Sequence, residues 1–269
     1  MTARTVMFPL GPNVLALASR DRARDILKRA FPRRRGRLSL TRTVGEFTGA
    51  FKKALVDAVI VDLAHPTEET WKAAALARDY PSVPFFAFCP MRVADTAALA
   101  RCVDGDFADV LVEGMDDSAM RDLVLPHCFT NRFGSALHDA HLALGLDNRL
   151  QERAWRAIVA HGGRTVRTEM IAAQLHVTRE HLSRSFSAAG SPNLKRIIDL
   201  VRLISAAELA KNPGYDVSEV AMVLEFASPS HLTSTAQRIV GTRSASLARL
   251  RTGDLIERFR QGRGRSRTA

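Results

Sequence analysis

The apolar positions of this chain change their period near residue 115. Before it, short unbroken apolar runs alternate with segments whose apolar residues return every three to four positions; after it only the helical period remains. The unbroken runs are NVLALA (13–18), RLSLT (37–41), AVIVD (58–62), PFFAF (84–88) and DVLVE (109–113). They favour β-branched and aromatic residues and are short, so they predict strands. Between them, RDRARDILKRAF, VGEFTGAFKKAL, EETWKAAALARDY and VADTAALARCV carry the spacing of amphipathic helices. Strands that alternate with helices in this way form a parallel sheet covered on both faces. Right-handed crossovers make it a doubly wound five-stranded sheet, with any site at the carboxyl ends of its strands. Asp62 stands at such an end, and Pro66 follows four residues later.

From DSAMRDLVLPH onward the chain reads as helix, broken by turn signals at GLDN, HGG, AAGSPN, NPG and ASPS. In RTEMIAAQLHVTREHLSRSF (167–186), Met170, Ile171, Leu175, Val177, Leu182 and Phe186 share one face, and Thr178 is placed to cap a second helix. The pattern recurs in DVSEVAMVLEFASPSHLTSTAQRI (216–239), where Val217, Val220, Ala221, Leu224, Phe226 and Leu232 take equivalent places and Ser228 is the cap. Two short helices joined by a tight turn are the helix-turn-helix arrangement, whose second helix enters the major groove of DNA. Between the two units NLKRIIDLVRLISAAELAK (193–211) is an unbroken helical pattern, about 28 Å long at the α-helical rise. Successive major-groove segments on one DNA face lie about 34 Å apart, so a stiff connector of this length suits two readers.

Charge sharpens the picture. Residues 1–150 hold 20 basic and 18 acidic side chains, whereas 151–269 hold 19 and 10, so the net charge of +11 resides mostly in the helical half. Its basic residues are Arg except Lys195 and Lys211, and guanidinium suits phosphate and guanine. The basic loop FPRRRGR (31–37) reads as solvated charge, though DNA or an acidic partner could use it. No apolar run approaches the length of a membrane span, and Pro9, Gly11 and Pro12 break the short apolar start, so neither membrane nor signal peptide is expected. Cys89, Cys102 and Cys128 lack metal-ligand spacing, which fits a reducing cytoplasm without disulfides, zinc or another cofactor. No HExxH, GxSxG, CxxC or phosphate loop suggests an enzyme.

The stretches IAAQLHVTREHLSRSFSAAG, VRLISAAELA, SEVAMVLEFASPSHL and GTRSASLARLR resemble the DNA-binding domain of the AraC family of bacterial transcription regulators, over about residues 150–251. Arg202-Leu203 match that family's central Arg-Leu, and Phe226 its aromatic before the second cap. Glu225 stands for a usual glycine, Ala236 for a large aromatic and Ser244 for a proline, departures that weaken base reading by the second unit. The resemblance implies base contacts from Glu180, Ser183 and Arg184 in the first unit and from Ser230, His231, Thr233 and Ser234 in the second. Arg can bond guanine at two points and Glu can accept from cytosine, so the chemistry agrees for the first set. Arg164, Arg167, Arg238 and Arg243 are the implied phosphate contacts.

The five-stranded half resembles the receiver domain of response regulators, a flavodoxin-like fold in which an Asp ending the third strand accepts a phosphoryl group. Asp62 and Pro66 match that position. The match then fails. Ala18 and Ser19 stand where two carboxylates would bind Mg²⁺, Cys89 where a hydroxyl would, Glu113 where a Lys would and Gly114 where a Pro would. Asp21, the nearest acid, reads as a first-turn helix residue. Asp62 is therefore expected to be a vestigial phospho-acceptor, retained as a structural or capping carboxylate, with no metal beside it.

The organisation expected is a pseudo-receiver at 1–125, a helical linker at 126–149, an AraC-type domain with two helix-turn-helix units at 150–252, and a basic disordered tail at 253–269 with Arg263, Arg265 and Arg267. The function expected is a sequence-specific regulator of transcription acting on double-stranded DNA. The pseudo-receiver is expected to serve dimerisation or binding of a partner or small ligand, with a homodimer formed through the N-terminal domain and RNA polymerase as a further partner. The rivals are a response regulator activated at Asp62 and an RNA-binding regulator.

Overall fold

The computed structural model describes residues 11–187 and 192–265. They divide into two compact units, one of residues up to 132 together with Asn212–Tyr215, the other of Phe133–Lys211 and the chain from Asp216 onward.

In the first unit the strands are β1 (Asn13–Leu17), β2 (Arg37–Thr41), β3 (Ala58–Asp62), β4 (Phe85–Cys89) and β5 (Asp109–Val112), within a residue of the segments read from the apolar runs. They form one parallel sheet in the order β2-β1-β3-β4-β5. The helices of this part are α1 (Asp21–Ala30), α2 (Val44–Lys53), α3 (Glu68–Ala74), α4 (Leu76–Asp79), α5 (Thr96–Asp104) and α6 (Asp117–Val124). Because the sheet is covered on both faces, β3 and β4 need apolar residues at every position: Val59, Ile60, Phe85, Phe86 and Phe88 have no exposed surface. FPRRRGR forms a short 3₁₀ turn, Arg33–Arg35, whose three guanidinium side chains are exposed.

One buried carboxylate closes the amino-terminal end of this sheet. Asp57, fully buried before β3, accepts the backbone N–H of Asn13 at 2.6 Å, the N–H of Thr130 at 2.9 Å and the Thr130 hydroxyl. It thereby satisfies donors at the start of β1 and in the segment after α6 that the sheet itself leaves over.

The remaining helices are α7 (Phe129–Ala136), α8 (Ala140–Ala143), α9 (Arg149–Val159), α10 (Thr168–Gln174), α11 (Arg179–Ser187), α12 (Leu194–Leu209), α13 (Val217–Val223), α14 (Pro229–Val240) and α15 (Thr252–Arg265). The central helix α12, about 24 Å long, is buried at almost every position, Asp199, Arg202 and Ser205 included. It contacts α9, α13, α14 and α15 and is the axis of the second unit. At Gly163, where φ is +84°, a side chain would stand 2.2 Å from the Ser205 Cβ, so α12 can be approached this closely only by glycine. Ser205 completes the contact by donating to the Gly162 carbonyl at 2.8 Å.

Two helix pairs stand on this axis. Thr178 caps α11 through the His181 N–H at 3.1 Å, and Ser228 caps α14 through the His231 N–H at 3.0 Å, as the spacing predicts. Met170, placed by periodicity on the apolar face of the first pair, is instead 44 % exposed, because α10 is only seven residues long and ends its buried stripe with Ile171 and Ala172. The tail expected to be disordered from 253 is helical in α15 up to Arg265. Leu255 and Phe259 are fully buried there, and a single apolar stripe one turn apart suffices to dock a short basic helix. Arg267 lies outside the described residues. No helix of the described residues is long and apolar enough to cross a membrane.

Each pair turns through a left-handed residue that is not glycine: His176 at φ 57° and Glu225 at φ 56°. In the second turn Arg202 holds the backbone, donating from Nη2 to the carbonyls of Leu224 (2.9 Å) and Glu225 (3.1 Å) while its guanidinium lies 3.8 Å from the Phe226 ring centre. Thr165 also donates to the Glu225 carbonyl at 2.9 Å. The left-handed conformation is thus imposed on Glu225 by its surroundings at a steric cost. Glu225→Gly should raise the stability of the second unit by about 1 kcal/mol, after allowing for the larger freedom of glycine in the unfolded chain. Chemical denaturation checks it, and a loss of stability would show that the Glu side chain, not the backbone, sustains the turn.

Candidate nucleic-acid interface and strand-end charge cluster

On α11 the exposed side chains include Glu180, His181 and Arg184, with Ser183 half-buried, while Leu182 and Phe186 face the core. Arg184 is exposed and makes a long contact from Nε to the Glu180 carbonyl at 3.4 Å. The three residues expected to read bases thus lie together on an open face of one helix.

The second helix is different. Ser230, His231 and Ser234 are exposed on α14, and His231 and Ser234 bond to neighbours. The His231 ring meets Phe226 edge to face at 5.7 Å and accepts the Ala227 N–H at 3.4 Å, and the Ser234 hydroxyl donates to the His231 carbonyl. Thr233 is half-buried; its hydroxyl lies 2.8 Å from that of Ser244 and bonds the Pro229 carbonyl. Ser244, where a proline was expected, makes this inward contact available. Fully buried Ala236 likewise takes the space of a larger side chain.

Of the four expected phosphate contacts, Arg167 and Arg243 are exposed, each at the residue that precedes a helical turn. Arg164 is half-buried, with Nη1 3.4 Å from the His161 carbonyl. Arg238 is exposed as well, with its side chain 51 % open, and its Nη2 pairs with Asp199 of α12 at 2.9 Å. Burial holds His161 below the usual imidazole range, helped by the Arg164 charge.

At the carboxyl ends of the strands lies the second cluster. Arg20, between β1 and α1, donates from Nε and Nη2 to the two oxygens of Asp62, both at 2.8 Å, and from Nη1 to Glu113 at 2.9 Å. Arg22 adds a contact to the other Glu113 oxygen at 2.6 Å. The Asp62 and Glu113 side chains are 4 % and 5 % exposed. Bidentate geometry and partial burial make this a strong charge-assisted set. The hydrogen bond to Asp62 raises the Arg20 pKa beyond the ordinary guanidinium value against the opposing effect of desolvation, with Glu113 adding to the rise. Asp62 also accepts the Ala64 N–H at 3.2 Å, turning the chain after β3. Asp21 begins α1 and pairs with Arg42 at 2.5 Å. Among the described residues no group of three or more His, Cys, Asp or Glu side chains is placed to hold a metal ion. Cys89, at the end of β4, is buried, and desolvation raises its thiol pKa; the same cause lifts Cys102 to about 11 and raises Cys128 further still.

The family model described as a helix-turn-helix domain matches residues 171–249, a span that takes in most of α10, all of α11 to α14 and the turns of both pairs. Residues 171–249 are thus similar to a helix-turn-helix domain. No curated protein matches the chain. Among solved structures, full-length FixJ from B. japonicum is similar at 11 % identity and a TM-score of 0.38, covering 85 % of this chain and 97 % of its own. The response regulator StyR is similar at 15 % identity and 0.36, covering 71 % of this chain and 98 % of its own. At such values neither says what this chain does.

Within the helix-turn-helix domain, sequence reasoning missed Asp199, the ionic partner of Arg238. In the sheet unit it missed Arg20, for which a cation beside Asp21 is the available signal. Glu113, which stands where a Lys was expected, is balanced by Arg20 and Arg22.

Removing the shared cation leaves two buried carboxylates, one of them without an ionic partner. Arg20→Met should therefore lower stability at pH 7.5 by about 2–4 kcal/mol. Urea unfolding of the two proteins checks this, and an unchanged midpoint would mean that the strand ends do not depend on this cation.

Proposed function

We propose that this chain is a sequence-specific, double-stranded DNA-binding regulator of transcription in which α11 and α14 enter adjacent major-groove segments. The observation that carries the reading is the open, polar face of α11 within a domain of helix-turn-helix type, where Glu180, Ser183 and Arg184 stand ready for base edges. The inward-turned hydroxyl of Thr233 and the internal contacts of His231 support a division of labour, with α11 discriminating and α14 chiefly anchoring. Arg167 and Arg243 are the best-exposed candidates for phosphate contact. An RNA-binding role finds less support. Among the described residues of the helical unit, Trp155, Phe186, Phe226 and Phe259 are buried and offer no stacking platform.

In this reading the sheet unit works without phosphorylation. Arg20 occupies both oxygens of Asp62, so an incoming phosphoryl group would have to break a bidentate pair, and the guanidinium repels a divalent cation there. The unit then serves for pairing of two copies or for receiving a signal. The exposed Val103 and Leu123, on α5 and α6, are apolar side chains that pairing could cover.

Arg184→Ala should cost about 1–3 kcal/mol on the preferred site and relax preference at one base pair. Arg243→Ala should weaken all sequences alike and flatten the salt dependence by about one unit of slope. Titrations on randomised duplexes at several salt concentrations measure both, and the opposite assignment of effects would move the reading helix elsewhere.

Incubation with acetyl phosphate and Mg²⁺ should leave the intact mass unchanged. A phosphoryl adduct that disappears in Asp62→Asn would make the sheet unit a working receiver.

A further inference from the structure

The geometry points to a small-molecule site on the sheet unit, a cleft between α3 and α5 that takes a flat aromatic ring bearing a carboxylate. The inference rests on the reading of this unit as a signal receiver and names the chemistry of the signal.

The cleft has a volume of about 470 Å³, inside the range of roughly 300–1,000 Å³ usual for such sites. It lies beside the segments that follow β3 and β4, at the carboxyl edge of the sheet. Its volume comes from small side chains: Ala64 on the β3 side and Ala97 and Ala98 on α5 leave the indole of Trp71 as the one large wall. Trp71 is half-buried, whereas the molecule's other tryptophan, Trp155, is fully buried in the helical unit.

Two cations border the cleft, and they are not equivalent. Arg92 is spent. It donates to both oxygens of Asp95, at 3.2 and 3.0 Å, and to the Ala64 carbonyl at 2.7 Å, so it shapes the rim with its charge already balanced. Arg101 is held loosely. Its guanidinium lies 4.1 Å from the centre of the Trp71 ring, and its ionic contact is a 3.4 Å approach to Glu68, a side chain 83 % exposed. An exposed pair of that length contributes little, so a carboxylate entering the cleft can take the guanidinium from Glu68 at small cost.

A second hollow of about 310 Å³ lies on the other side of the same pair, sharing Trp71 and Arg101 and adding Ala74, Ala75 and Phe107. The stacked indole and guanidinium therefore stand between two hollows instead of against packed core. A planar ring can stack on the indole while its carboxylate meets the Arg101 fork, combining aromatic contact with a charge-assisted bond. The largely apolar lining disfavours a bare inorganic anion, and the loosely paired Arg101 guanidinium favours an anionic ring over an uncharged one.

The test uses the full chain and three probes: 1-naphthoate, the neutral 1-naphthalenemethanol and inorganic phosphate. Naphthoate should quench tryptophan fluorescence saturably, and Trp71→Phe should abolish the quenching. Calorimetry should show Arg101→Gln weakening naphthoate at least fivefold while leaving the alcohol unchanged, and Ala98→Leu weakening both. The alcohol and phosphate should each bind at least fivefold more weakly than naphthoate. On α5 Arg101 is exposed and Ala98 half-buried, and unchanged melting curves for all three variants establish that the fold is kept. No saturable binding at millimolar naphthoate, or binding indifferent to Arg101→Gln and Ala98→Leu, overturns the proposal. DNA binding measured on the same preparation separates the two readings. Naphthoate binding lost with DNA binding intact rejects the cleft alone; naphthoate binding present without DNA affinity rejects the regulator.

Discussion

The guanidinium of Arg20 is the fixed charge around which the strand ends of the sheet unit are arranged. It draws together carboxylates 42 and 93 positions away in the chain, one ending β3 and one following β5, across an edge where neither would otherwise be stable. Two buried carboxylates side by side repel and lose hydration; one planar cation with donors on three nitrogens answers both costs at once. It also decides the chemistry available there. A divalent ion binds and leaves, and its coordination shell can accept a new oxygen, whereas a guanidinium is permanent and its donors are already placed. The strand-end edge has thereby become structural, and the surface left for an outside molecule lies beside it, between α3 and α5.

The helical unit is organised on a different principle. Its centre is α12, nearly all of whose side chains are buried, and the polar ones among them are the joints. Ser205 receives the HGG turn, Arg202 braces the turn between α13 and α14, and Asp199 takes Arg238. Ser205 and Arg202 are buried where they bond, whereas the Asp199 partner Arg238 is half open to solvent, so the helix pairs are positioned by directional bonds as well as by area. In the second pair Arg238 and Thr233 each bond a neighbour within the unit, Asp199 and Ser244.

Much of this was legible in the sequence because the signals were local. Unbroken runs such as AVIVD and PFFAF can only be central strands of a covered sheet, and Thr178 and Ser228 announce helix starts through a bond three residues long. Glu180, Ser183 and Arg184 were singled out by the family resemblance, not by periodicity. What escaped was non-local. Nothing near Arg20 shows that Asp62 and Glu113 will meet it, nothing near Arg238 points to Asp199, and the stacking of Arg101 on Trp71 joins residues 30 positions apart. The exposure of Met170 and the docking of α15 had a further reason. Very short amphipathic segments hold too few turns for periodicity to tell a buried stripe from an accidental one.

The burial of all three cysteines bears on how the molecule can be handled. A thiol with a pKa near 11, as at Cys102, is ionised in about one copy in ten thousand at pH 7, and thiolate is the reactive form. Cys89 and Cys128 are shielded by the same desolvation. A cysteine introduced on the surface of either unit would be the thiol that a maleimide finds first. Spin labels or fluorophores can therefore be placed one per unit without stripping out the native sulfur, and the distance between the units followed as DNA or a small molecule is added.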